Sequence, residues 1–292
     1  MTHAPAVEGH VTSRDGTRIG YRRHGEDGPG IVLVQGAMGD VHSYDELAQA
    51  LSPTFTVYAL ERRGRGVSPK PYDPSHDIAR DVEDIDALLE QTGTEFVFGL
   101  SSGAVITLEA ARTLPRITRA ALYEPPFYRD GISREGVRCL DAEVERGDLP
   151  AAMITSLLTA QTAPAPLRVL PRPVSRFAAS IVLRVDERRP RPGATLRQMV
   201  PGNRYDFHDV AGVDGKMAMY AGVDKPVLLV SGTKSQAFLR ESVRDLMTVL
   251  PQARLVELPG LDHGSPWNAA QGGRPVEVAA PLVEFFSAQA AP

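Results

Sequence analysis

Apolar residues along the chain follow two rhythms. Short runs at Ile31–Val34, Phe55–Leu60, Glu95–Leu100, Ala120–Tyr123, Pro226–Val230 and Ala253–Leu258 are rich in Val, Ile, Leu and Phe and end at glycine or charged turns. Continuous apolar runs of this length predict strands buried on both faces. Between them, Asp77–Glu90 places Ile78, Val82, Ile85, Leu88 and Leu89 at helical spacing, which predicts a one-faced helix. Ala104–Arg112, Phe238–Leu250 and Val276–Ser287 also read as helices. Near the start, Val11–Ser13 and Arg18–Arg22 flank Asp15-Gly16, a hairpin signal. Strands alternate with helices at both ends of the chain. That order predicts an α/β fold with a mostly parallel central sheet and helices on both faces.

The middle breaks the rhythm. Arg129 to about Gly222 contains no convincing buried strand, and predicts helices at Arg134–Arg146, Ala151–Ala160 and Val174–Val185. Prolines at 164, 166, 171, 173, 190 and 192 interrupt them and favour stiff loops. The simplest organisation is a core of residues 1–127 and 223–292, with a helical cap at 128–222 inserted after the sixth strand. Met153, Leu157 and Leu158, with Phe177, Ile181 and Leu183, give that insertion apolar faces expected to pack its helices together and roof a pocket.

Composition narrows the function classes. With 292 residues, 42% hydrophobic and 23% charged, the chain has ample material for a core and is not disordered. A net charge of −4 argues against a protein that works by neutralising nucleic-acid phosphates. The single cysteine, Cys139, can make neither an internal disulfide nor a cysteine-rich zinc site; it is expected in the core. Met1–His10 lacks the basic start and apolar run of a signal peptide, and no apolar stretch approaches the ~20 residues that span a bilayer. A cytoplasmic protein is expected.

The clearest chemical motif is Gly99-Leu-Ser101-Ser-Gly103, placed where a strand ends and a helix begins. A serine nucleophile needs a sharp turn that lifts its hydroxyl above the sheet edge, and small neighbours let the backbone make it. The helix N-terminus then offers free N–H groups to a developing oxyanion. The same pattern also fits a strand-to-helix loop with a serine cap.

With this motif in its context, the chain resembles the α/β-hydrolase family over nearly its whole length outside the insertion. Gln35-Gly-Ala-Met-Gly39 is similar to the family's oxyanion loop, and Glu61-Arg-Arg-Gly-Arg-Gly-Val-Ser68 to its D-x-R-G-x-G-x-S turn. Gly260-Leu-Asp-His263 is similar to its G-x-x-H loop. The resemblance implies that Ser101 is the nucleophile and His263 its base, with the N–H groups of Ala37 and Ser102 holding the oxyanion. The other histidines, at 3, 10, 24, 42, 76 and 208, lack that context.

Two departures stand out. Gln35 replaces the usual histidine of the oxyanion loop and is expected to contact substrate. The G-x-x-D that usually follows the next-to-last strand is here Gly232-Thr-Lys-Ser235, so the acid is missing from its common place. Glu124, closing the Ala120–Tyr123 strand, is the candidate replacement, because some members of the family place the acid at this strand end. Asp262 and Asp224 are rivals. Asp206 falls in the insertion and is expected only to line the pocket. Trp267 reads equally as packing or as a substrate-contacting wall. Arg62–Arg65 reads as a tight turn with solvated arginines. No zinc-protease, phosphate-loop or dinucleotide signature is found, so neither metal nor cofactor is expected.

The expected function is hydrolysis of an ester, thioester or lactone of a small apolar substrate through Ser101, His263 and Glu124. The alternatives are acyl transfer, carbon–carbon cleavage or a lyase or cyclase step on the same fold, and a non-catalytic ligand-binding relative. The expected partner is a small molecule, with neither nucleic acid nor membrane; a homodimer is left open.

Overall fold

The computed structural model describes residues 5–288. Its eight strands are β1 (Val7–Thr12), β2 (Arg18–His24), β3 (Gly30–Val34), β4 (Thr56–Leu60), β5 (Phe96–Leu100), β6 (Arg119–Tyr123), β7 (Val227–Gly232) and β8 (Ala253–Leu258). They form one sheet in the order β1-β2-β4-β3-β5-β6-β7-β8. β1 and β2 are the expected hairpin, closed around Gly16 at φ +81°. β2 meets β4 antiparallel, and every pairing from β4 onward is parallel.

Alternation within β3 shows why the strands read as continuous apolar runs. Ile31 and Leu33 pack into one core, while Val32 and Val34 pack into another on the opposite face. The first face is covered by α1 (Asp45–Leu51), whose Leu47 and Leu51 share that core with residues near the C-terminus. The second is covered by α2 (Ile78–Thr92) and α3 (Ser102–Thr113). Asp77 caps α2 by accepting from Ala79 N–H, and Gly93 ends it in the left-handed conformation.

The segment between β6 and β7 is helical throughout its regular structure: α4 (Arg134–Glu145), α5 (Leu149–Thr159), α6 (Ala165–Val169), α7 (Arg172–Glu187), α8 (Leu196–Met199) and α9 (Asn203–Val213). α10 (Ala237–Val249) and α11 (Pro275–Ser287) then complete the layers, α10 with α2 and α3, α11 with α1. α9 has no counterpart in the sequence reading. Nine of its eleven residues are buried, including Arg204, Asp206 and Asp209, so it presents no polar face to the pattern. No helix among the described residues is long and apolar enough to cross a membrane.

Three expectations about side chains need correction. Cys139 is exposed on α4, because the buried stripe of that helix runs through Val137, Leu140 and Glu143 instead. Phe177 and Ile181 neither pack the insertion nor roof a pocket. They are 66% and 45% exposed, since α7 buries the opposite stripe of Ser175, Ala179 and Leu183. Arg62, Arg63 and Arg65 are no more than 4% exposed; acidic residues from α2 and α9 bury them as partners.

Candidate active site

The loops at the C-terminal ends of the parallel strands build the site. Ser101 lies between β5 and α3 at φ +56°, ψ −125°, a conformation that costs on the order of 1–3 kcal/mol and persists only where its surroundings enforce it. Those surroundings are tight. A Cβ on Gly99 would stand 2.3 Å from the Gly103 carbonyl oxygen, and a Cβ on Gly103 2.4 Å from the Gln35 carbonyl oxygen. Both glycines of the motif therefore answer to close backbone approach. Met38 and Glu124 also have positive φ, at +62° and +49°. Strain thus gathers at three strand-end turns around one site.

Glu124 follows β6 and is fully buried. Its Oε2 lies 2.8 Å from His263 Nδ1. Its Oε1 accepts from the Gly232 N–H at 2.7 Å and the Ser231 hydroxyl at 3.0 Å. The end of β7, which lacks the common aspartate, thus supplies donors to a glutamate one strand away. The rivals lie elsewhere. Asp262 is exposed and accepts from Gly264 N–H and the Ser265 hydroxyl within its own turn. Asp224 precedes β7, at the far end of the sheet. The Glu124–Nδ1 contact sets the imidazole so that Nδ1–H donates to the carboxylate and Nε2 is left to accept a proton.

Two adjoining cavities, of about 40 and 270 Å³, share Ala37, Ser101, Ala160, Thr162, Phe207 and His263. The smaller extends between Tyr128, Ile132, Val210 and Phe238, the larger past Met38, Leu157 and Trp267. No Lys or Arg lines either one among the described residues. Ala37 and Ser102 both border the smaller cavity. The hydrogen bonds closing their turns, Gly39 N–H to Gly36 and Ala104 and Val105 N–H to Ser101, leave the Ala37 and Ser102 N–H groups out. Gln35 lines neither cavity. It is fully buried, with its side chain folded against Gly39 and neither polar atom hydrogen-bonded. Trp267 does border the larger cavity.

Beside the serine turn lies a buried charge cluster, where the arginine-rich turn predicts solvated surface. Arg62 bonds Asp81 at 3.0 Å, Asp209 at 2.8 Å and also Asp206. Arg63 pairs with Asp84 at 2.6 and 2.8 Å. His76 approaches Asp209 at 2.9 Å and Asp81 at 3.1 Å. Burial pushes its pKa down, but the hydrogen bonds to Asp209 and Asp81 outweigh burial and raise it to about 9. His76, Asp81 and Asp209 are close enough together to ligate a metal ion. The Arg62 guanidinium bonds both of these carboxylates, so a fixed cation already stands beside them. In the same turn, burial lifts Glu61 to about 8, with Asp40 adding to the shift, so this acid is largely uncharged at neutral pH. The signal for the cluster was present in the sequence: three arginines at one glycine turn, and Asp206 with Asp209 at helical spacing.

Residues 31–280 match a family described as the alpha/beta hydrolase family. The chain is 26% identical over 244 residues to 2-(acetamidomethylene)succinate hydrolase of Mesorhizobium japonicum, covering 81% of this chain and 82% of that protein. It is 31% identical over 128 residues to N-formylmaleamate deformylase of Pseudomonas putida, covering 43% and 48%. Among solved structures, an alpha/beta hydrolase from Sphaerobacter thermophilus superposes with a TM-score of 0.76 at 30% identity, covering 96% of this chain and all of that one. A match spanning most of the chain, on a fold with the same strand-end turns, establishes that this protein belongs to the alpha/beta hydrolase family.

Proposed function

We propose that this protein is a serine hydrolase that cleaves an ester, thioester or lactone of a small, uncharged substrate. The carrying observation is the 2.8 Å contact between His263 and the buried Glu124, in a cavity that also contains Ser101. In this reading Ser101 attacks the carbonyl carbon and His263 Nε2 takes the hydroxyl proton. Glu124 stabilises the imidazolium without itself becoming protonated. The Ala37 and Ser102 N–H groups bind the oxyanion. His263 then returns the proton to the leaving group, and water attacks the acyl-enzyme by the same route. The two cavities meeting at Ser101 suit the acyl and leaving portions of a substrate, and the inserted helices act as a cap over both.

The lining argues for an uncharged substrate. The relatives' names specify a succinate and a maleamate derivative, both carboxylates. A buried carboxylate is best held by a cationic partner; neither lining includes a lysine or arginine, and the smaller one includes the Asp206 carboxylate, which would repel a second anion.

A fluorophosphonate probe tests the nucleophile. It is expected to label the wild type and not Ser101→Ala; labelling of the variant, or its full turnover, overturns the assignment. With p-nitrophenyl esters, acid release without an added acceptor should be fastest for short acyl chains, and slower for a hemi-succinate than for an uncharged ester of similar length. Turnover only with an added nucleophile would instead favour acyl transfer.

A further inference from the structure

We infer that Asp206, on the inserted helix α9, is a positioning residue that sets both halves of the oxyanion hole. The inference rests on the serine-hydrolase reading and goes beyond it, since Asp206 borders the smaller cavity, as expected, but its hydrogen bonds go to Ser102, Arg62 and Arg65 rather than to the nucleophile or its base. Asp206 is 2% exposed and reaches two elements of the core at once. Its Oδ1 accepts the hydroxyl of Ser102 at 2.6 Å. Ser102 is the first residue of α3, and its N–H is one candidate oxyanion donor. Its Oδ2 accepts from Arg65, whose Nη1 in turn donates to the Gly36 and Gly39 carbonyls at 3.1 Å each. Those carbonyls bracket Ala37, the other candidate donor.

One carboxylate therefore holds the helix start directly and the oxyanion loop through a guanidinium. The loop needs such a restraint because Met38 is held at φ +62° beside Ala37. Placing a carboxylate beside a developing negative charge would ordinarily hinder catalysis. Here Arg62 and Arg65 both pair with it, so its charge is balanced while its geometry is kept. Arg65 also donates to Gly202, just before α9. Seating α9 on the core thus fixes the two donors in the same act, and the hole is complete only with the insertion docked.

The test is steady-state kinetics on p-nitrophenyl acetate, together with the inhibition constant of an alkyl boronic acid, whose tetrahedral adduct places an oxygen in the hole. Hole donors act on the transition state, so their misplacement lowers kcat rather than raising KM. Asp206→Asn is expected to lower kcat about 10-fold or more with KM within about twofold, and to weaken the boronate in parallel. Ser102→Ala keeps both guanidinium pairs and is expected to show the same pattern at about fivefold, so an Asp206→Asn protein that fails to fold leaves the test intact. The double variant should lose little more than Asp206→Asn alone, because the two act as one unit.

Unchanged kcat and boronate affinity in Ser102→Ala, losses that multiply in the double variant, or an effect confined to KM would each overturn the inference. Ser101→Ala serves as the control. If it retains turnover, the nucleophile reading fails, and the inference with it. If Ser101→Ala is dead while Ser102→Ala and Asp206→Asn behave as wild type, only the inference fails.

Discussion

Glu124 and Asp206 are both buried carboxylates near the Ser101–Ser102 turn, yet their surroundings are opposite. Glu124 is held by neutral donors, the Gly232 N–H and Ser231 hydroxyl, and its remaining oxygen faces His263. Asp206 is held by two guanidinium groups and the Ser102 hydroxyl. Neutral donors orient a carboxylate without cancelling its charge, so Glu124 remains available to stabilise a cationic imidazole. Arginines cancel the charge and leave a rigid bracket. A buried acid's role thus follows from its partners rather than from its burial. A carboxylate that must act electrostatically is satisfied by dipoles; one that must only hold geometry can be neutralised.

The largest effect is expected at Glu124. Glu124→Gln is expected to lower kcat by about 10³–10⁴-fold, because the amide favours the wrong imidazole tautomer and cannot balance its charge. Asp262→Asn should remain within about twofold, as expected of a carboxylate used within its own loop. Steady-state turnover of the two variants decides the matter, and the reverse order of effects would transfer the acid's role to Asp262.

The second test addresses the bracket. Arg62→Met leaves Asp81, Asp206 and Asp209 without their shared cation. Uncompensated buried charge typically costs about 3–5 kcal/mol, and urea unfolding should show a loss of that size. A loss below about 1 kcal/mol would mean that the cluster contributes no more than exposed pairs do.

The third and smallest effect is in pH. The His76 pKa is raised in the folded protein from 6.5 to about 9. A raised pKa means that the folded state holds the proton more tightly. Its stabilisation is therefore complete below the unfolded value and disappears as pH rises through the folded one. Thermal melts should show Tm falling between about pH 6.5 and 9, with a shallower decline in His76→Gln. An identical slope in the variant would remove His76 from the account.

Much of the core was legible in the sequence. β3, β5 and β7 read as short apolar runs because both their faces are buried. The Gly99–Gly103 turn read as a nucleophile turn because a strand-to-helix reversal demands small residues on each side of the serine. Glu124 could be proposed because Ser235 left the usual acid position without a carboxylate. Other features were not legible. Gln35 stands one residue beyond β3, and whether it faces the pocket or folds under the loop depends on the approach of Gly39. Cys139 and Phe177 were misplaced because an amphipathic pattern in a helix gives the buried direction only once its neighbours are known. α9 was missed altogether, since its inward-facing arginine and aspartates make a buried helix look like a polar loop.

The features dictated by residue order alone are local: the strand and helix periods, and the turn residues whose backbone conformation is set within a few positions. These suffice to predict a mostly parallel sheet covered by helices on both faces and to place the serine, histidine and glutamate in turns that follow strands; the strand order itself came from the structure. Which charges meet depends on how the helices dock. Asp206 and Ser102 are separated by 104 positions and by the whole proline-interrupted insertion, so no period or spacing relates them. Their contact exists because burying α9 against the core leaves its carboxylates no water, and each must find a partner among the groups already fixed at the sheet edge.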